Sequence, residues 1–230
     1  MYEEDLYFKA QDKHFWFKGR KVILQKILSR YLKGKLKILD IGCGAGFSTS
    51  LVNKKEIIGL DKNKSALFYS RLLGIKVVQG DAILLPFKDG VFDFIFLLDL
   101  LEHVEDDRKV LKEVKRVGKK GGLIIITVPA FKKLWSKHDE YHGHYRRYSM
   151  REITEKLRKE NLRVLKSTYF NFFLFPLIVI AKKFEKRGSH LQRKIPPFLN
   201  EILSVLFAFE SCFLDFGFPF GVSILCVVQI

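Results

Sequence analysis

Apolar and polar positions along this chain switch repeatedly between two periods. Leu24, Ile27, Leu28 and Tyr31 recur at helical spacing, and Gly34 stands where such a helix would stop. KILDIG then runs apolar into a glycine turn, the pattern of a buried strand. EIIGL predicts a second strand, after which Asn63 can cap a helix through Leu73, closed by Gly74. KVVQ, FDFIFLL and GLIIITV read as the third, fourth and fifth strands. Between the last two, Val110, Leu111, Val114 and Val117 mark a helix ended by Gly118. Strand and helix in this rhythm call for right-handed crossovers, hence an α/β fold: a doubly wound, mostly parallel sheet with helices on both faces.

The last hundred residues change character. Ser149 and Glu152 form a capping-box signature for a helix carrying Ile153 and Leu157, and LRVLKS follows as a strand. GVSILCVVQI closes the chain as another strand. Between them lies an insert, residues 170–220, that holds 12 of the 22 Phe. It opens with YFNFFLFPLIVIA, passes through the basic stretch RGSHLQRKIPP, and continues as an apolar helix from about Phe198 to Phe213. Only Glu201, Ser204 and Ser211 give that helix a polar stripe.

Composition narrows the class. A chain of 230 residues suits one large α/β domain and is too short for two ordinary ones. With 48% hydrophobic and 29% charged residues, a disordered chain, a collagen-like fibre and a coiled coil are excluded. Cys43, Cys212 and Cys226 are too few and too scattered for a disulfide scaffold or a zinc site. MYEEDLYFKA carries no apolar signal core, and no stretch reaches the roughly 18 apolar residues that cross a bilayer. The expectation is a single-domain cytoplasmic protein. The net charge of +16 adds a choice between a Lys-rich soluble surface and an anionic partner. From Phe131 to Lys194 there are 17 Lys and Arg against 6 Asp and Glu, so most of the excess sits in one region.

Candidate chemistry begins at ILDIGCGAG, which sets Gly42, Gly44 and Gly46 directly after the first strand. Glycines there let the backbone approach a ligand and leave N–H groups unobstructed. A helix is expected to follow. Alone, the turn could be no more than a tight connection. Asp40 before it can meet a cationic ligand group or tie down the loop. Asp61, with Lys62 beside it, ends the second strand where ribose hydroxyls would be bound. The longer G-x-G-x-x-G of dinucleotide sites is absent, since Phe47, Ser48, Thr49 and Ser50 come next.

ILDIGCGAG, the acid in GLDKN, GDAILLPFKDGVFD and LLDLLEHVEDD resemble, in order and spacing, the successive motifs of class I S-adenosylmethionine-dependent methyltransferases. The resemblance covers residues 35–128. It implies a Rossmann-like seven-stranded sheet whose last strand is antiparallel, with S-adenosylmethionine at the carboxyl ends of the first and fourth strands. By the same resemblance Asp40, Gly42, Cys43, Gly44 and Gly46 cradle the methionine part of the cofactor, and Asp61 holds the ribose. Asp81 and Ala82 meet the adenine, and Leu98, Asp99 and Leu100 line the methyl-donor end. Asp93 reads instead as a strand anchor, and Cys43 as a small loop residue rather than a nucleophile.

KHDEYHGHYRRYS follows the fifth strand and should overhang the sheet as a lid, residues 129–148. His138, His142, His144 and Asp139 lie close together, but the run reads as a loop without a helical histidine pair and a partner acid elsewhere, so no metal site is assigned. Arg146 and Arg147 can present forked donors to an anionic substrate, with Tyr148 and His138 beside them. His144 could act as a base. WSKHD, GHYRRY and the HFWFKGR of the helical lead-in, residues 1–34, resemble a subgroup related to quinone-type and small-molecule O-methyltransferases. That likeness puts Glu102 and His103 beside the acceptor, makes His103 a candidate general base or a helix cap, and adds Trp16 to the acceptor site.

The insert decides the acceptor class. Phe172 to Ala181 is ten apolar residues flanked by Lys182, Lys183, Lys186 and Arg187. It is either extra core, a greasy pocket or an interfacial helix at a membrane. The expected function is methylation of a hydroxyl or carboxyl on a small or lipid-linked acceptor, with peripheral membrane contact. The alternatives are nucleic-acid methylation and a non-catalytic cofactor-binding protein. N/D-P-P-Y/F, the base-modifying signature, does not follow the fourth strand.

Overall fold

Burial gathers the apolar runs into one sheet covered on both faces. In a computed structural model, which describes residues 13–52, 56–183 and 195–230, seven strands form it. These are β1 (Lys37–Ile41), β2 (Glu56–Asp61), β3 (Lys76–Gln79), β4 (Phe92–Leu98), β5 (Gly118–Pro129), β6 (Arg163–Phe170) and β7 (Ser223–Gln229). Their order is β3-β2-β1-β4-β5-β7-β6. β1 to β5 pair in parallel, and β7 lies antiparallel between β5 and β6. This is the Rossmann-like, doubly wound sheet with a reversed last strand that the sequence implies.

Ile38, Leu39, Phe94 to Leu97, Ile124 to Ile126 and Ile224 to Val228 are fully buried. That explains why the central strands read as continuous apolar runs rather than alternating ones. On one face α3 (Asp107–Val117) and α5 (Met150–Lys159) contribute Val110, Leu111, Val114, Val117, Ile153 and Leu157 to the core. On the other, α1 (Phe15–Tyr31) brings Ile23, Leu24, Ile27 and Leu28, joined by Phe207 of α7 (Pro197–Phe209). α2 (Lys64–Leu72) lies between β2 and β3 in sequence and is capped by Asn63 as expected. Strand order reverses between β1 and β4, the point at whose carboxyl ends open α/β sheets place their ligands.

The contact of α1 with α7 depends on the absence of a side chain. A Cβ at Gly19 would stand 2.4 Å from the Phe207 ring. Asn200 on α7 accepts from the Phe15 N–H at 2.8 Å and donates to the Lys13 carbonyl at 2.8 Å, closing the start of α1. Lys18 pairs with Glu201, and Arg30 grips Asp215 with a second bond of 2.7 Å. Trp16, expected at the acceptor, packs on the Phe207 ring at 5.5 Å and belongs to this seam.

Three local expectations change. No α-helix follows the glycine turn directly; a 3-10 turn, Phe47–Ser50, stands there. Its hydroxyls bond locally, Thr49 to the Gly46 carbonyl and Ser50 to that of Phe47, in competition with helical pairing. KHDEYHGHYRRY is not wholly a loop, because Ser136 and Asp139 form a capping box for α4 (Lys137–Tyr141). The apolar helix stops at Phe209 and continues as a 3-10 turn, Glu210–Cys212. In the insert, α6 (Phe175–Lys183) carries Pro176 in its first turn, where proline is tolerated. Lys186 and Arg187 lie outside the described residues, as do the side chains of Lys182 and Lys183.

Candidate active site

The end of β1 makes the first wall. Gly42 has φ +74°, and a Cβ there would come within 2.8 Å of Leu100 Cδ1, so the turn presses on the loop after β4. Gly44, at φ +51°, faces open space, with no atom within 4 Å of where a Cβ would stand. Behind it the Gly44 N–H donates to Asp61 Oδ2 at 2.9 Å, while Asp61 Oδ1 accepts from the Asn63 N–H at 2.8 Å. Each carboxylate oxygen keeps lone pairs for a further donor. Asp40 is buried and accepts from the Ser48 hydroxyl at 2.5 Å. Burial, with Asp61 nearby, pushes its carboxyl up to about 7. Gly46 packs on Ile75, and the N–H groups of Gly42 and Gly46 are spent on the Leu60 and Cys43 carbonyls, so the turn does not leave them unobstructed as expected. The open space at Gly44, with two carboxylates behind it, fits a ligand carrying a cationic group and hydroxyls.

Other residues on this side fall into order. Cys43 is buried; a Cβ at Gly59 would approach its sulfur to 2.7 Å, and burial pushes its thiol up. It is packing. Asp81 is exposed and accepts from the Ile83 N–H at 3.1 Å, with Ala82 buried next to it. Lys62 is exposed, and Leu98 and Leu100 are half-buried. Asp93 anchors the opposite end of β4 by accepting from the Lys37 N–H and from Lys119 Nζ.

The methyl-donor end holds a residue that sequence reading missed. Asp99 leaves β4 at φ +54°, accepts from the Thr127 hydroxyl at 2.9 Å, and pairs with Arg20 at 2.9 Å. Arg20 is buried on α1, donates to the same hydroxyl at 2.7 Å, and lies 5.3 Å from the centroid of the Phe47 ring. The signal was present. Arg20 falls on the stripe of Ile23, Leu24 and Ile27, where a cation is out of place unless a buried anion awaits it.

The acceptor end gathers three groups. Glu102 and His103 sit on a 3-10 turn, Leu101–His103, just after β4. Glu102 is 1% exposed; burial, then Asp99, hold its carboxyl well above the usual range. The rings of His103 and His144 meet edge to face at 4.5 Å. Burial and that neighbour push His103 down to about 4. His144 Nδ1 lies 2.9 Å from Asp139 Oδ1, and Asp139 is buried. Tyr145 ties the two segments together through its N–H on the Glu102 carbonyl at 2.7 Å.

Of the two arginines expected to face a substrate anion, Arg147 turns inward and the half-buried Arg146 is engaged by carboxylate and carbonyl partners. Arg147 is buried, its Nε 2.7 Å from Asp139 and its Nη1 3.1 Å from the Ala130 carbonyl. Arg146 pairs with Asp107 at 3.2 Å, and Tyr148 donates its hydroxyl to the same carboxylate at 2.8 Å. Buried carboxylates compete for these donors and hold the lid down. His138 lies 4.3 Å from His142 and 6.3 Å from His144, ring to ring, at the rim.

Residues 39–126 match a family described as a methyltransferase domain. An uncharacterized protein of Methanocaldococcus jannaschii is 32% identical over 174 residues, 71% of this chain and 82% of that protein. A demethylmenaquinone methyltransferase of Staphylococcus aureus is 30% identical over 156 residues, 60% of this chain and 61% of that enzyme. The chain thus spans less than two thirds of the staphylococcal enzyme's length. Among solved structures, a SAM-dependent methyltransferase from Thermotoga maritima superposes with a TM-score of 0.63 at 21% identity, covering 99% of this chain and 94% of that one. One from Archaeoglobus fulgidus gives 0.59 at 20% identity over 91% and 94%. These two likenesses are of fold.

Proposed function

The chain belongs to the class I S-adenosylmethionine-dependent methyltransferases, and from that premise we propose that it methylates an oxygen of a small or lipid-like acceptor. S-adenosylmethionine supplies a methyl group already activated on a sulfonium, so the protein's task is alignment, proton removal and exclusion of water. Gly42, Gly44 and Gly46 with Asp40 and Asp61 would hold the cofactor, and Arg20 keeps Asp99 and α1 in place beside it.

The observation that carries oxygen methylation is the His144–Asp139 pair facing His103. A bond from Nδ1 to Asp139 leaves Nε2 as the acceptor nitrogen, and the buried carboxylate offsets the charge that a proton would bring. His103, driven toward its neutral form, contributes a second uncharged imidazole. An acceptor hydroxyl that reaches Nε2 of His144 gives up its proton there.

A lipid-like acceptor is favoured by the insert and by the staphylococcal relative, a demethylmenaquinone methyltransferase. Phe216 is 88% exposed, Phe198 77% and Val205 68%, an apolar surface suited to peripheral contact with a membrane. Among the described residues no helix is long and apolar enough to cross one. Labelled methyl transfer to a total lipid extract, beside total RNA, tests the reading. Label in the lipid fraction is expected; label in RNA alone would replace it with nucleic-acid methylation, and label in neither would leave a cofactor-binding protein.

A further inference from the structure

We propose that Glu102, His103 and His144 form a binding site for one divalent transition-metal ion, with open coordination positions that take the acceptor's oxygen. Each residue offers one ligand atom, and the three atoms lie within 4.8 Å of one another. Two imidazoles and a carboxylate suit zinc, manganese, cobalt or iron, and three protein ligands leave positions for substrate.

A second observation points to the same ion. Glu102 Oε2 is buried and has no hydrogen-bond partner among the described residues. A buried carboxylate oxygen is costly without a partner, and metal coordination is one of the few ways to satisfy it. The carboxylate is the one that His103 and His144 join in the cluster.

The imidazoles are arranged as ligands are. His144 has Nδ1 engaged by Asp139, which directs Nε2 away from that carboxylate, the carboxylate–histidine pattern that orients a metal-binding ring. The His142 carbonyl serves the ring of His103 as an acceptor, again leaving one nitrogen for the cluster. Asp139 cannot turn away, because Arg147 Nε and the Ser136 N–H hold it at 2.7 and 2.8 Å. The Tyr145 N–H on the Glu102 carbonyl fixes the segment bearing His144 against the turn bearing the other two. The sequence alone assigns no metal to the 138–144 run; the fold brings its His144 against Glu102 and His103 from the end of β4.

The site's role rests on the oxygen-methylation reading, while ion binding itself does not. A hydroxyl bound to the ion releases its proton to solvent more readily than a free one. Its oxygen then forms a bond to the methyl carbon as the carbon–sulfur bond breaks with its electron pair left on sulfur. The ion keeps its oxidation state. With the ion in place, the lone pair of His144 is spent on coordination, and acidification of the acceptor passes from imidazole to metal.

The test uses the full chain, stripped with chelator and dialysed. Cobalt(II) is titrated while its visible absorption is followed, and manganese(II) and zinc(II) are titrated by calorimetry. One equivalent should bind, and Glu102→Gln and His144→Gln should each weaken binding at least tenfold. Cys212→Ser, at an exposed thiol, should leave the affinity unaltered. If Glu102→Gln does not fold, the ion-induced rise in melting temperature, present in wild type and lost in His144→Gln, carries the same information. Absence of saturable one-to-one binding for all three ions, or binding that survives both variants, overturns the site. S-adenosylmethionine affinity, measured alongside, separates the two readings: its loss removes the methyltransferase reading, whereas its persistence without ion binding removes only the metal. Methyl transfer that persists in chelator yet needs His144 shows imidazole acting alone and overturns the metal's role.

Discussion

Asp40 and Asp61 stand close together at the end of the sheet with opposite surroundings, one sealed in and one on the rim. Asp61→Ala should weaken S-adenosylmethionine binding by about 1–3 kcal/mol, through loss of charge-assisted hydrogen bonds and of its hold on the Gly44 N–H. Calorimetry checks this, and nicotinamide dinucleotide should not compete. Asp40, with a carboxyl raised from 3.8 to about 7, stabilises the fold while protonated. That contribution is complete below its unfolded value and is lost as pH rises through about 7. A ligand bearing an ammonium group prefers the ionised carboxylate, so cofactor affinity should rise between about pH 5.5 and 8 while stability from this group falls. Asp40→Asn should flatten both trends; an unchanged affinity profile in that variant would assign the titration elsewhere. At this scale the glycines and their flanking acids were legible in sequence, since a strand, a turn and an acid are consecutive. Arg20, Arg146 and Arg147 were not. Which carboxylate an arginine meets depends on residues brought together only by the fold, such as Asp99 for Arg20 and Asp139 for Arg147.

Elements meet through a few positions that tolerate no substitution. Gly19→Ala would drive a methyl into the Phe207 ring and force α1 and α7 apart. Overpacking of this kind costs about 1–3 kcal/mol, read as a lower denaturant midpoint. An unaltered midpoint would mean that the seam is slack. After α7, Glu210 is fully buried and accepts from the Phe173 N–H at 2.9 Å, anchoring the start of the insert to its end. Burial pushes its carboxyl from 4.5 up to about 7, so its contribution to stability likewise disappears as pH rises through about 7. Glu210→Gln keeps the accepting oxygen and cannot ionise. It should match wild type below about pH 4 and exceed it at pH 8 by on the order of 3 kcal/mol, measured by denaturation at both. Strands and long helices were legible because burial on both faces writes continuous apolar runs and a single buried stripe writes the helical period. The short elements were hidden. Hydroxyl-to-backbone bonds decide the 3-10 turn at Phe47–Ser50, and a capping box decides α4, each against weak periodicity.

Over the whole molecule, the net charge of +16 and the exposed apolar side chains of the insert belong to one expectation, attachment to anionic lipid. Binding to liposomes should rise with anionic lipid content and fall with salt, each basic residue at the surface adding about 1 kcal/mol. The outward side chains are not those that the apolar run alone singles out. Phe172 stacks on Phe218 at 5.0 Å and Phe173 lies against Phe209 at 6.0 Å, whereas Phe198, Val205 and Phe216 face out. Replacing these last three by Ser should release the protein from liposomes with cofactor affinity intact. Indifference of wild type to anionic liposomes at low salt would point to a soluble acceptor.

The fastening of α1 also sets a timetable. Phe15 is held by Asn200 and Arg30 by Asp215, partners 185 residues further along the chain. At a synthesis rate of about 5–20 residues per second, that separation is on the order of ten seconds or more. The stripe of α1 can settle on β1, β4 and β5 as soon as these emerge, but its outer seam with α7 stays open until residues 197–215 have followed. Arg20, whose partners Asp99 and Thr127 precede α7 by some way, can pair before that seam closes. A nascent chain halted before Asn200 should keep protease-sensitive bonds around Phe15, while the sheet from β1 to β5 already resists cleavage.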